Sequence, residues 1–502
     1  MSSATPILAA SAPPDPEDPD ARIAASRLSG SAQVESIEQL QQCRGEGFDD
    51  RGAFHRWLAA ARLSAAENRW LEAEYLALRA ILANPLNTPA FVLLTEALVR
   101  NERPEEAETA RRYRVPETLI WRYLGPADPT GSDLWRDEPE PVVPSVPTPA
   151  PPGTIVHRAF ESERVALEPP RTIGTRTIRA LSADSTDAPD AATVEITGGS
   201  LWFDDFNTVV CDRDGKPLRS LSQGHVELVR HARARVEPTP HGGSVCLLGN
   251  RSAFNYYHWM NDVLPRLGVL AASGIALEDI DRFVVQRPTL AFQHETLAHF
   301  GITADRIHGP DDGVLVETER LLVPTFGSNA FSLRHGSWVP RFLRREFGSR
   351  ITAERHRRLY LSRGTTGARG VCNEPELLAS LRAYGFERVS SEDLSVREQA
   401  TLFETAEVVI GPHGAGFTNT AFCRPGTRVI EFYADFITTC FWVQSALLGF
   451  EHAVLRTEGA GQIPEGRPNS IRERRMANRL APIRVNCERV EALLDTLGVS
   501  RT

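Results

Sequence analysis

Apolar residues follow three different rhythms along this chain. Over residues 56–100, RWLAAARLSAAENRWLEAEYLALRAILANPLNTPAFVLLTEALVR, they recur with the helical period. Glu-Ala-Glu at 72–74 returns at 106–108, and thirty-four residues is the period of a tetratricopeptide repeat. Asn84-Pro85 punctuates the helices. Two readings stay open: a docking groove for a protein partner, or a helical extension. Before this region, residues 1–48 are rich in Ala, Ser, Pro and Asp and predict a disordered tail. After it, DEPEPVVPSVPTPAPPG at 137–153 holds too many prolines for a helix or central strand and reads as a linker. From about 156 to 240 short alternating runs such as TVEITGGSLWFDDFNTVVCDRDGKPLRS predict strands and turns. Beyond 244, apolar strand-like runs (SVCLLGN, RFVVQR, RLLVPT, RLYLSR, FERVSS, EVVIGP, RVIEFY, HAVLR) alternate with helical ones, FTNTAFC after EVVIGP among them.

Strict βαβα order requires crossover connections, hence parallel sheets covered on both faces. The fold class is α/β: two Rossmann-like domains joined near 335–355 and facing a cleft, with ligands at the carboxyl ends of the strands. The boundaries that follow are a tail over 1–48, a tetratricopeptide-like region over 49–124 and a Pro-rich linker over 125–155. A β-rich, Rossmann-like domain covers 156–345, a second Rossmann-like domain 346–480 and a C-terminal helix 481–502.

Composition narrows the chemistry. A chain of 502 residues exceeds one core, and 41% hydrophobic with 24% charged residues is ordinary for a soluble protein. The net charge of -9 argues against a nucleic-acid partner. Lys216 is the one lysine, in a turn-like Asp-Gly-Lys-Pro setting, so anions fall to arginine forks and backbone amides. Seven scattered cysteines without a CxxC pair read as reduced and cytosolic. Neither a signal peptide nor a run approaching ~20 apolar residues is visible, so a cytoplasmic place is expected, free or peripheral to an inner membrane.

Three stretches carry candidate chemistry. In NYYHWMNDVLPRL at 255–267, His258 and Asp262 fall at i and i+4 of a helix, with Arg266 a turn further. A carboxylate fixes one tautomer of the imidazole, and the pair can take a proton from a hydroxyl. Pro265 should kink or end that helix, and the same residues also suit a packed helix whose polar groups pair among themselves. In YLSRGTTGARGVCNE at 360–374, a strand delivers Ser362 and Arg363 to its end. Arg369 follows in a glycine-rich turn, and Asn373 is placed to cap the next helix. In VVIGPHGAGFTN at 408–419, His413, Gly414, Ala415 and Gly416 lead from a strand into a helix whose free amides suit an anion. An esterase oxyanion loop would need a G-x-S-x-G elbow, which the chain lacks. Glu431, ending RVIEFY's polar positions, could meet ribose hydroxyls or pair structurally. Asp212-Arg213-Asp214 could be a metal-binding DxD, but with Gly215 between two extended runs it reads better as a hairpin turn.

Taken together, YYHWMNDVLPRL, the arginine loop and LSVREQATLFETAEVVIGPHGAGFTNTAFCRPGTRVIEF resemble glycosyltransferase family 61, including its capsular polysaccharide biosynthesis-like members. The resemblance covers roughly 240–455. It implies a GT-B pair of domains and an inverting, metal-independent transfer of a sugar from a nucleotide-diphosphate donor, usually a UDP-sugar. The acceptor would be a hydroxyl of a glycan or protein. Arg363 and Arg369 fall on the family's arginine-loop positions and His413, Gly414 and Gly416 on its HGAG positions. Asp262, ahead of His258, is the expected base. The alternative is an inactive nucleotide- or glycan-binding scaffold with repeat-mediated protein contacts.

Overall fold

A computed structural model describes residues 53–83, 88–111, 115–116, 118–119, 146–148, 150–173, 178–204, 207–223, 229, 236–250, 252–325, 335–349, 354–364, 369–434, 437–459 and 482–502. The expected tail and most of the expected linker lie outside them. Contacts divide the chain into two compact units, 1–132 with 224–237, and 133–223 with 238–502.

The helical unit contains helices Ala53–Ala66, Trp70–Ala83, Thr88–Arg100 and Pro104–Arg111. Trp57, Leu76, Ile81, Phe91, Leu94 and Leu98 meet in its own core. Ala73 and Ala107, the central residues of the two Glu-Ala-Glu triplets, are both fully buried, so the recurrence marks small residues at close helix contacts. Glu74 accepts from Asn101 Nδ2 and Arg103 Nη1, each at 2.6 Å, which pairs its buried charge. A helical array is thus present, with the second helix of each pair starting at Trp70 and Pro104.

The α/β unit holds two large sheets. In the first, β1 (Thr154–Phe160), β5 (Ala191–Thr197), β11 (Leu315–Pro324), β8 (Thr239–Leu247), β9 (Arg282–Val284) and β10 (Ile307–His308) lie in that order, with β6 (Ser200–Phe203) on β11 and β7 (Thr208–Cys211) on β6. The pairs of β8 with β9 and β11, and of β9 with β10, are parallel. Those among β1, β5, β6, β7 and β11 are antiparallel. The parallel pairs come from the βαβα part of the chain, and the antiparallel ones from 154–211, where tight turns reverse the chain. Gly198 takes φ +67 between β5 and β6. After β7, Asp212 Oδ1 accepts from the amides of Asp214 and Lys216 at 2.9 and 3.0 Å. That engagement makes Asp212 a turn residue, as the hairpin reading has it.

The second sheet runs β13 (Phe386–Val389), β12 (Arg357–Leu361), β14 (Ala406–Pro412), β15 (Arg428–Tyr433), β16 (Glu451–Arg456) and β3 (Arg171–Thr172), with every pairing parallel. Helices Glu374–Arg382, Val396–Glu404 and Cys440–Leu448 provide crossovers, and helix Cys487–Thr496 follows. Two departures matter. Strand β3 comes from the segment that the sequence groups with the first sheet, and Val165, Leu167 and Leu181 pack with Tyr433, Trp442 and Val454 of the second. The helix expected after His413 is a 3-10 helix, Ala415–Phe422. No described helix is long and apolar enough to cross a membrane.

Candidate active site

The 255–267 stretch folds as an α-turn, Tyr256–His258, a π-turn, Trp259–Val263, and an α-helix, Pro265–Ala272. The Leu264 amide bonds to the Trp259 carbonyl, 3.0 Å, rather than to the carbonyl four residues back. Proline has no N–H and its ring crowds the carbonyl four residues earlier, so a widened turn just before Pro265 relieves that conflict without ending the helix. Asn255 caps the start through Tyr257 N at 2.9 Å.

His258 and Asp262 meet as the spacing predicts, Nδ1 to Oδ2 at 2.6 Å. The two groups differ in exposure. Asp262's side chain is wholly buried, while His258 keeps 17% of its side chain exposed. With Nδ1–H donated to the carboxylate, Nε2 presents its lone pair, and it has no partner among the described residues. The carboxylate therefore orients the imidazole, whose exposed edge carries the free lone pair. Arg266 does not join them in binding; it is buried and donates to the Leu247 and Gly249 carbonyls, 3.2 and 3.1 Å.

On the second sheet, β12 and β14 end side by side, bringing Arg363 and His413 together. A Cβ on Gly414 would strike the Arg363 guanidinium, so the glycine is where the arginine lies against the loop. Arg369 donates Nε to the His413 carbonyl at 2.9 Å from a left-handed backbone, φ +55, which strains a residue with a Cβ. Its turn is pinned by Ile483, whose main chain bonds to Gly370 O and Cys372 N, both 2.9 Å. Burial lowers Arg363 below the usual guanidinium range, and Glu392 opposes that shift.

Asn373 and Glu431 are both engaged by partners within the protein. The Asn373 side chain does not cap the helix. Its amide pairs with both main-chain groups of Val485, Nδ2 to O at 2.8 Å and Oδ1 from N at 3.0 Å, which closes the C-terminal segment over the loop. Glu431 is fully buried; Oε1 accepts from His413 Nδ1 at 2.8 Å, and Oε2 accepts from Tyr433 Oη at 2.8 Å and faces His452 Nε2 at 3.4 Å. Both oxygens of that fully buried carboxylate are thus engaged by side chains of the protein. Burial would raise Glu431, yet His413 and His452 hold it at about 2. Burial pushes His413 below the usual imidazole range; Glu431 opposes and the Arg369 and Arg363 charges add to the push. The carboxylate thus fixes the tautomer, leaving Nε2 to accept from Thr438 Oγ1 at 3.3 Å. Ala415 and Gly416, half-buried, open the 3-10 helix with amides that no earlier helical turn can satisfy.

The two halves of the site touch. Phe441 sits 5.5 Å from the Tyr257 ring and 5.4 Å from the His413 ring, and Tyr256 Oη donates to Asn419 Oδ1 of the 3-10 helix at 2.7 Å. Phe441 thus lies between Tyr257, the chain neighbour of His258, and the ring of His413. Residues 256–430 match the family model Glycosyltransferase 61. That window holds every predicted site residue except Glu431, which is the next in the chain. A stretch of 116 residues is also 34% identical to the EGF domain-specific O-linked N-acetylglucosamine transferase of Drosophila melanogaster, over 21% of this chain and 22% of that protein. The match therefore spans about a fifth of that relative's length. Both matches support glycosyltransferase activity, with a sugar donor and an acceptor.

In and beyond the segment that matches Glycosyltransferase 61 lie residues that sequence reasoning did not single out. Phe441, Thr438 and His452 complete the His413 environment, and Tyr256 and Asn419 link the two halves. Tyr256 and Asn419 fall inside the quoted stretches and so had a local signal. The others act through contacts more than a dozen residues away in the chain.

Proposed function

We propose that the α/β unit is an inverting glycosyltransferase of GT-B type that moves a sugar from a UDP-sugar to a hydroxyl on a glycan or protein. The observation that supports this reading is an Asp262-oriented His258 whose chain neighbour Tyr257 shares Phe441 with His413, the histidine of the arginine-backed loop. Inversion takes one in-line attack, so the base must stand opposite the departing diphosphate. His258 Nε2 takes the acceptor's proton. Arg363, Arg369 and the Gly414–Gly416 amides balance the charge of the diphosphate, with no divalent metal required. An anion there offsets the arginine charges that act on His413 and favours a proton on its Nε2, directed at the leaving oxygen. The N-acetylglucosamine in the relative's name makes UDP-N-acetylglucosamine the first donor to try, ahead of UDP-glucose, UDP-xylose and GDP- and TDP-sugars. The helical unit is proposed to hold a protein partner, tetratricopeptide fashion.

Thermal stabilisation by UDP and slow hydrolysis of UDP-sugars test the reading, and activity should persist in EDTA. His258→Ala and Asp262→Asn should each cut hydrolysis by about 100-fold or more. Wild-type rates in both variants would refute the base assignment. Stabilisation by UDP with no turnover of any sugar would leave the inactive scaffold instead.

A further inference from the structure

His413 is buried, and the ring of Tyr433 stacks on its imidazole with centroids 5.1 Å apart. On the Nε2 side its hydrogen-bonding neighbour is Thr438, which is only half-buried. Thr438 lies between the carboxyl end of β15 and helix Cys440–Leu448, and β15 pairs with β14, the strand that ends at His413. Its Oγ1 is 3.3 Å from His413 Nε2 and 3.2 Å from Cys440 Sγ. Tyr433 Oη, which bonds Glu431 at 2.8 Å, also stands 3.1 Å from the Thr438 carbonyl and so fixes the main chain that carries the hydroxyl.

The hydrogens around Oγ1 can be counted. A threonine hydroxyl gives one hydrogen and accepts two. Burial pushes the Cys440 thiol up to about 12, so at neutral pH the sulfur keeps a hydrogen to give to Oγ1. The ring hydrogen of His413 is on Nδ1, against Glu431, so the Thr438 hydrogen goes to Nε2. Burial, Arg369 and Arg363 act against a second proton on His413, while Glu431, which His452 also faces, acts for it. A diphosphate on the two arginines offsets their charge, and a proton then taken up on Nε2 reverses the bond to Thr438. Oγ1 now accepts from Nε2–H and from the thiol, and its own hydrogen is released toward a further acceptor.

We propose that Thr438 is a catalytic residue whose hydroxyl, backed by His413, donates to an oxygen of the terminal phosphate of the nucleotide-diphosphate donor. This rests on the reading of Arg363, Arg369 and His413 as the donor loop. The bond from the anomeric carbon to the phosphate oxygen breaks and leaves its electron pair on that oxygen. The Thr438 hydrogen bond, strengthened by the charge behind it, stabilises the anion as it forms, and no bond to the protein is made.

Calorimetric titration of the full chain with UDP and with UMP tests this, because UMP lacks the phosphate assigned to Thr438. Thr438→Val keeps the shape without the hydroxyl. It should weaken UDP about tenfold and change UMP by less than about twofold, while Thr438→Ser, which keeps the hydroxyl, should bind UDP near the wild-type affinity. Repeated at neutral pH in buffers of different ionisation enthalpy, the titration should show the wild-type chain taking up more protons with UDP than with UMP. Thr438→Val should lose that difference. In UDP-N-acetylglucosamine hydrolysis, Thr438→Val should lower kcat about tenfold and Thr438→Ser should restore most of it. Unchanged UDP affinity in Thr438→Val, or equal weakening of UDP and UMP, would overturn the proposal. Should that variant fail to fold, the wild-type chain still decides: equal proton uptake with the two nucleotides, or none, overturns it. If UDP does not bind the wild-type chain at all, the donor reading falls and Thr438 falls with it.

Discussion

Gly414 has no side chain where the Arg363 guanidinium lies, and this sets an unusual trade between stability and binding. The atom that a new methyl would strike is the tip of a long side chain, which can swing away. Gly414→Ala should therefore cost little folding free energy, within about 1 kcal/mol, while displacing the arginine from the loop. A charge-assisted hydrogen bond contributes about 1.5–3 kcal/mol, so UDP should bind roughly 10- to 100-fold more weakly. Calorimetric titration with UDP, alongside a melting curve, checks both halves; unchanged UDP affinity would show that Arg363 does not bind the donor. Gly411 contrasts with it. A Cβ there would meet the Leu361 carbonyl at 2.7 Å, a backbone atom that cannot swing, so that glycine serves strand packing.

The element that carries the base shows how far pattern reading reaches. Spacing alone put His258 and Asp262 on one face, and they do meet. It could not show that Pro265 is accommodated by a π-turn, because the choice between breaking and widening a helix is made by what surrounds it. Trp259, for example, is fully buried with its indole on Thr296 Oγ1 at 2.8 Å, which holds the widened turn in place. That Asp262 is sealed while His258 keeps an exposed edge was not legible for a related reason: burial is a tertiary property and the motif is silent about it. The same limit applied to Glu431 and Asn373, whose partners His413, His452 and Val485 lie 18, 21 and 112 residues away in the chain. One contact joins this element to the donor loop directly. Tyr256→Phe deletes the hydroxyl that bonds Asn419, whose Nδ2 is held by Gln399. Leaving Asn419 Oδ1 unpaired should cost about 1–3 kcal/mol in denaturant unfolding and lower kcat more than it raises KM. Full stability in the variant would mean the contact is not part of the native fold.

At the scale of the whole α/β unit, the chain touches the edge of the second sheet with β3 before it completes the first, and returns at its end to pair Ile483 with the arginine loop. Two-residue pairings of this kind leave no local trace, so the regular βαβ order was legible and the stitching was not. The buried acid-base groups that this packing creates give the fold one shared pH response. Glu431 sits at about 2 in the folded chain against 4.5 when unperturbed. The unfolded chain thus takes up that proton first, and the stabilisation present above 4.5 drains away as pH falls toward 2. His413 and His335 are both pushed below 6.5 by burial, so the unfolded chain also binds their protons first as pH drops past 6.5. Both effects have the same sign. The melting temperature should be level near pH 7–8, begin to fall as pH drops through about 6.5, and fall further through the carboxylate range below about 4.5. Glu431→Gln, which cannot ionise, should melt lower at neutral pH by breaking the buried pairing with His413 and His452. It should also lose part of the slope below pH 4.5, because its own proton no longer differs between the two states. Melting curves of both proteins over pH 4–8 decide this. A wild-type protein more stable at pH 5 than at pH 7, or an identical acid slope in the variant, would mean that Glu431 and its histidines do not set the acid limit of the fold.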